Sequence, residues 1–494
     1  MVEKKSAVII GAGIGGITAS IYLAKNGYSV DVYEKNSTPG GRCSRIIRDG
    51  HRFDLGATML IMPGIYHRIF DSLGIKLEEG RDILPLEDLY RIYFDDDSCL
   101  TFTADKVRMK KELEAIEPGS FEKSEKYIKT GYGIFRLGID RLVARNFYNL
   151  FQFANFRNLG LLIKLKTYIS HWRYTKRFFR NQHLLMAYTF QNIYVGQSPI
   201  NSSALYSMVP AAELTEGSFY CRGGMFAVVG KLLNEAESSG VVFHYDSQVS
   251  QIKTRERKAE CIVLGDGTEI KADIILANAD LPYVYRELLP DKGIAARLGR
   301  MNYSCSAICF HWGLDKVYPQ LSQHSVFLSD TYREGLEEIF INKSVSGHPS
   351  FYVHAPVRND PSSAPPGSDT LSVIVAAGHI DKRRNQDWVA IRNRTRNSVL
   401  NRLKRFGMGD IDDHIKFEIS QTPEDWENIC NITRGSVFGS LGHQIYQMGY
   451  LRPHNRHSRY HNLYFVGGST HPGNGIPNIL ISAKLVTERI LSGK

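Results

Sequence analysis

The stretch SAVIIGAGIGGITASIYLAKNGYSVDVYEK, residues 6–35, constrains the fold more than any other part of this 494-residue chain. SAVII is a short β-branched apolar run. Beyond GAGIGG, apolar residues recur at helical spacing as far as Gly27, where glycine ends the helix. YSVDVYEK then alternates like a half-buried strand and finishes at Glu34. Strand, glycine turn, helix and strand form the mononucleotide-binding unit of a doubly wound α/β fold. Gly11, Gly13 and Gly16 stand in G-x-G-x-x-G register, with an acid 23 positions after the first glycine. Gly11 permits the tight turn, Gly13 lets backbone approach a pyrophosphate, and Gly16 lets helix pack on strand. Glu34 can accept from the hydroxyls of an adenosine ribose, and an acid there disfavours the 2′-phosphate of NADP.

The next segment, KNSTPGGRCSRIIRDGHRFDLGATML, holds a second glycine turn, Gly40–Gly41–Arg42, and a third loop at Phe53, Asp54, Leu55, Gly56 and Ala57. Near the other end, YFVGGSTHPGNGIPNILISAKLVTERIL reads as a strand, a Gly/Pro loop and an amphipathic helix. Between them, YCRGGMFAVVGKLLNEAESSGVVFHYDSQVSQI and DGTEIKADIILANADLPYVYRELLP supply another glycine turn, a helix and further strands. Together these strings resemble the GG-doublet flavoproteins of the amine oxidase and carotenoid desaturase superfamily, bacterial-type phytoene desaturases above all. The resemblance implies FAD. It places Gly41, Arg42, Gly56 and Ala57 near the flavin, Val249 at the adenine, and Gly468, Gly475 and Ile476 at the ribityl chain and ring edge. The dipole of the last helix would favour an anionic reduced flavin.

The architecture implied is α/β, with a Rossmann-like FAD-binding domain assembled from residues 1–105, 215–290 and 430–494. Residues 106–214 form a helical, membrane-facing region for substrate entry, and 295–429 an inserted α+β substrate domain. HAPVRNDPSSAPPGSD reads as an exposed Pro/Ser-rich loop between strands.

Residues 141–212 contain no Asp or Glu, while Arg141, Arg145, Arg157, Lys164, Lys166, Arg173, Lys176, Arg177 and Arg180 crowd their first part. Within a formal net charge of +10, this tract calls for an anionic partner. Nucleic acid, a solvated helix face over a core, and an interfacial helix pair are the three readings. Flanking flavin motifs set nucleic acid aside. A membrane surface is expected, with Leu161, Leu162, Leu165, Tyr168 and Trp172 dipping into lipid below the cations. No uncharged apolar stretch is long enough to cross a bilayer and no signal peptide is expected, so contact is peripheral. Seven scattered cysteines make neither a disulfide framework nor a metal site, which fits a reducing cytoplasm.

The resemblance implies desaturation of a CH–CH bond in an acyclic carotenoid, with quinone or oxygen as terminal acceptor. RDGHRFDLGAT resembles 1-hydroxycarotenoid 3,4-desaturases most, Ala57 standing where phytoene desaturases tend to carry proline. Phytoene or diapophytoene desaturase is the alternative. Flavin amine oxidases and non-enzymatic prenyl-binding chaperones share the fold more distantly. Amine oxidases often tether the flavin through a C-terminal cysteine, absent from 464–494, and chaperones lose the phosphate-binding glycines kept here. His471 and Asp54, placed in two flavin loops, are the polar residues to test for catalysis.

Overall fold

The computed structural model describes residues 4–442 and 444–493; the side chains of Arg157, Leu159 and Ile445 lie outside that description. Its first layer is a parallel five-stranded sheet in the order Val242–His244, Ser29–Tyr33, Ser6–Ile10, Ile274–Ala277 and Leu463–Phe465. Both faces are covered, as a parallel sheet requires. Along the first strand Ala7 and Ile9 join one apolar core and Val8 and Ile10 another. The helices Ile14–Lys25 and Ile476–Ser492 pack together against the first of these cores.

A second sheet of seven strands runs Ile415–Gln421, Ser306–Leu314, Asp369–Ala377, Phe351–His354, His324–Phe327, Asp88–Tyr93 and Cys99–Thr103. Its last two strands correct the expected boundary at 105. Residues 88–103 belong to this second sheet, because Asp88–Tyr93 pairs in parallel with His324–Phe327, more than 200 positions away. The helix Trp388–Arg405 packs Trp388, Val399 and Leu403 into this sheet's apolar core.

The Pro/Ser-rich loop departs from expectation. It is tied down by Asp360, a buried carboxylate that pairs with Arg52 (2.5 Å) and accepts from the Tyr220 hydroxyl (3.0 Å) and the Gly223 N–H (3.2 Å).

The cationic tract forms short helices, among them Phe156–Lys164 and His171–Thr175. Lys166, at φ 53°, breaks the path between them. The expected lipid-facing stripe is therefore not continuous. Leu161, Leu165 and Trp172 are 7%, 0% and 7% exposed and pack into cores. What faces outward is Phe151 (84%), Phe156 (95%), Ile163 (60%) and Tyr168 (67%). Among the described residues no helix is long and apolar enough to cross a membrane.

Candidate active site

Gly11 (φ 98°) turns the chain out of the first strand. A side chain at Gly16 would stand 2.3 Å from the Gly11 carbonyl oxygen, so helix and strand approach as closely as they do only without one. At Gly13 a Cβ would meet Asn278 Nδ2 at 2.7 Å. The Ile14–Lys25 helix begins here with no side-chain cap and no acid in its first turn, leaving its N-terminal N–H groups for an anion. Glu34, at the end of the neighbouring strand, accepts from the Ala12 N–H (2.8 Å), the Asn36 N–H (2.9 Å) and Asn36 Nδ2 (2.8 Å). Its carboxylate is thereby fixed beside the first glycine turn.

The second glycine turn lies against the first: the Gly40 N–H donates to the Ala12 carbonyl at 2.8 Å. Arg42 Nη1 donates to the Val437 carbonyl at 2.7 Å, which spans the cleft between the N-terminal and C-terminal segments. From the C-terminal side, Gly467 (φ 120°) and Gly468 approach the same guanidinium, with the ideal Cβ of Gly468 3.2 Å from Arg42 Nη2. The Ile476–Ser492 helix starts after Gly475, again with no side-chain cap.

One cavity of about 680 Å³ collects these parts. Gly11, Gly13, Glu34, Gly41, Arg42, Gly56, Ala57, Val249, Gly468, His471, Gly475 and Ile476 all line it, and Gly16 and Asp54 do not. Gly16 acts in packing. Asp54 accepts from the Met225 N–H (3.0 Å) and the Phe226 N–H (3.2 Å), at the start of the Phe226–Ser238 helix. Burial raises its carboxyl to about 6 against the pull of those donors. Its work is to hold a helix end, not to face substrate. Asp54→Ala is expected to cost about 1–2 kcal/mol, the worth of a lost helix cap. Thermal unfolding of the flavin-loaded protein checks this, and unchanged stability with lost turnover would return Asp54 to catalysis.

His471 remains on the wall. Its Nε2–H donates to the Arg145 carbonyl at 3.0 Å, which leaves Nδ1 as the lone-pair nitrogen, buried and without a partner among the described residues. Burial lowers its pKa to about 4, so the ring is neutral near pH 7.

Away from the glycine loops the cavity turns apolar, lined by Leu162 and Leu165 from the cationic tract and by Phe190, Val326, Ile374 and Trp426. Two hydroxyls interrupt this lining. Thr58 Oγ1 and the Tyr352 hydroxyl lie 2.6 Å apart, and the latter is 2.6 Å from Nδ1 of His324. Burial holds that imidazole neutral, with a pKa near 3. Sequence reasoning missed this group, since Tyr352 and His324 sit in ordinary-looking strands that pair with each other, and the loop carrying Thr58 reaches them only in the folded chain. Among the described residues no group of three or more His, Cys, Asp or Glu is placed to hold a metal.

A glycine cradle at one helix N-terminus, a fixed acid beyond it, and a second uncapped helix across the cleft define a dinucleotide flavoprotein. The residues fit FAD: a side chain on Gly13 or Gly15 would meet the Asn278 amide within 2.7 Å, so it must displace that amide or enter the space before the helix. The family model for flavin-containing amine oxidoreductases matches residues 14–491. Phytoene desaturase of Fusarium fujikuroi is 37% identical over 511 residues, 99% of this chain and 89% of that one. The zeta-carotene-forming phytoene desaturase of Myxococcus xanthus is 37% identical over 492 residues, covering 99% and 94%. The 4,4′-diapolycopene oxygenase of Methylomonas sp is 30% identical over 502 residues, covering 99% of each. An oxidoreductase structure from Methanosarcina mazei superposes with a TM-score of 0.65 at 16% identity, over 98% of this chain and 100% of that one, which shows the shared fold. The chain belongs to the flavin-containing amine oxidoreductase family, in its bacterial-type carotenoid desaturase branch. It is an FAD-dependent oxidoreductase.

Proposed function

We propose that this protein desaturates an acyclic carotenoid beside a hydroxylated end, as in 1-hydroxycarotenoid 3,4-desaturation within carotenoid biosynthesis. The observation that carries the reading is the Thr58–Tyr352 hydroxyl pair, set in an apolar wall one residue beyond Ala57. A substrate hydroxyl can join that pair by hydrogen bonding, whereas a plain hydrocarbon end leaves it unmatched. Bound FAD supplies the acceptor for a hydride leaving the CH–CH unit. The chain's own residues then do three things. The apolar wall excludes water and aligns the bond, Arg42 and the two glycine turns hold the cofactor, and His471 Nδ1 offers a neutral acceptor for the proton of the adjacent carbon.

The second reading is desaturation of phytoene, and it is favoured by the names of the relatives in Fusarium and Myxococcus. Both substrates are offered in liposomes with a quinone or oxygen as terminal acceptor. The expected result is conversion of a 1-hydroxy acyclic carotene to its 3,4-didehydro product, seen as a red shift, with phytoene a poor substrate. Tyr352→Phe is expected to lower kcat/KM for the hydroxycarotene by roughly tenfold, the worth of one buried hydrogen bond, and to leave a non-hydroxylated substrate unaffected. Efficient phytoene conversion with the hydroxycarotene untouched moves the protein to phytoene desaturase.

We also propose peripheral docking on the cytoplasmic face of a membrane, where such a polyene dissolves. The support is the acid-free tract itself. Its inner side gives Leu162 and Leu165 to the cavity and its outer side presents Phe151, Phe156, Ile163 and Tyr168 among lysines and arginines. Each cation near an anionic surface contributes about 1 kcal/mol. Replacing Lys164, Lys166, Lys176 and Arg177 by Gln is expected to abolish the salt-sensitive part of sedimentation with anionic liposomes, and Phe151→Ser with Phe156→Ser the salt-resistant part. Partitioning equal to wild type at low salt would make the tract an ordinary solvated face.

A further inference from the structure

Arg452 is 1% exposed and carries one of the deepest charges in the molecule. Among the described residues its guanidinium makes five hydrogen bonds, all to main-chain carbonyls. Nε donates to Thr470 (2.8 Å), Nη1 to Gly442 (2.9 Å) and Gln447 (3.2 Å), and Nη2 to Leu441 (3.3 Å) and Gly468 (2.6 Å). None goes to a carboxylate. The nearby acid, Asp280, is occupied elsewhere, accepting from Ser469 Oγ (2.9 Å), the Thr433 N–H (3.1 Å) and Ser440 Oγ. Burial lowers the Arg452 pKa to about 10, which still leaves it cationic at neutral pH. A buried charge is costly unless something compensates it. Carbonyl dipoles solvate this one, and the Asp280 carboxylate attracts it without forming an ion pair among the described residues.

Its position gives the charge a use. Gly468, whose carbonyl it binds, lines the cavity on the cofactor side, facing Arg42. We propose that Arg452 is a positioning residue for bound FAD: a fixed positive charge behind the 467–470 backbone that raises the electron affinity of the flavin. Hydride transfer moves two electrons and one proton from a substrate carbon to the cofactor. The cofactor thereby gains one negative charge, and the substrate becomes a cation until the neighbouring C–H bond gives up its proton and its electron pair forms the double bond. A cation held in a poorly screened interior favours the negatively charged cofactor over the neutral one. It acts through the Gly468 backbone and requires no movement at the moment of reaction.

Charge and cross-linking can be separated. Arg452→Lys keeps the charge and loses most of the carbonyl bonds, whereas Arg452→Gln keeps some donors and loses the charge. In the flavin-loaded proteins two quantities are read: the midpoint potential against free FAD in the same cell, and the dissociation constant for sulfite, an anion that adds to electron-poor flavins. Wild-type potential is expected above that of free FAD. Arg452→Lys is expected within a few-fold of wild type in sulfite affinity. Arg452→Gln is expected to bind sulfite at least about tenfold more weakly, with a potential lower by about 30 mV or more, the two-electron equivalent of tenfold. A flavin-loaded Arg452→Gln protein that matches wild type in both quantities would reduce Arg452 to a loop clamp and overturn the proposal. If neither variant folds, the wild-type potential decides: a value at or below that of free FAD overturns the proposal, and a value above it supports it.

Discussion

Gly13→Val is expected to yield a folded protein nearly free of FAD. A Cβ here would lie 2.7 Å from Asn278 Nδ2, and that side chain already donates to the Gly11 carbonyl at 3.2 Å. The added methyl groups therefore enter the space before the Ile14–Lys25 helix, where the pyrophosphate must meet the free N–H groups. Losing that approach is worth on the order of 100-fold in affinity, close to 3 kcal/mol. Flavin released per chain after dialysis measures it. Gly133→Ala serves as control, since nothing lies within 4 Å of its Cβ position. Wild-type flavin content in Gly13→Val would refute the assignment of the cofactor cradle.

Gly56→Ala is expected to do more damage with less added volume. A Cβ at Gly56 would stand 2.0 Å from the Arg42 carbonyl oxygen and 3.1 Å from its carbon, backbone atoms that cannot rotate away. The 41–43 turn would have to move, taking with it the Arg42 bridge to Val437. The expected outcome is loss of soluble, flavin-loaded protein. At Gly41 the cost should be smaller, since its Cβ would meet only Gly13 Cα at 3.6 Å and the penalty is that of a left-handed φ of 55°, about 1–2 kcal/mol. Comparing holoprotein yields of the two alanine variants separates collision from backbone strain. Equal yields would mean that the Gly56 contact relaxes.

The glycine positions were legible from sequence because the demands on them are local. A positive φ or a backbone contact admits almost nothing else, and the spacing of strand, turn and helix states where it falls. The cationic tract shows the limit. A stripe of Leu161, Leu165 and Trp172 looks the same in sequence whether it faces lipid or a protein core, and only packing decided that it faces inward. The bound at 105 fails for a similar reason, since Asp88–Tyr93 finds its partner in the distant His324–Phe327 and carries Cys99–Thr103 with it. Tyr352, His324 and Arg452 carry no motif. Each acquires its setting from segments that the chain brings together only when folded.

The parallel sheet that presents the glycine cradle is completed at its edge by Leu463–Phe465, paired with Ile274–Ala277. That edge strand leads directly into the Gly467–Gly475 loop and the helix beyond. A ribosome therefore releases the N-terminal glycine turn more than 400 residues before the segment that faces it across the cleft. The nascent chain must hold Ser6–Ile10 until Ile274–Ala277 is made, and Ile274–Ala277 until Leu463–Phe465 is made, a period in which unpaired edges and apolar faces invite aggregation. Cofactor capture is consequently a late, whole-chain event, and in an expression host the supply of FAD at the end of translation, with chaperones to cover the wait, governs how much active protein accumulates.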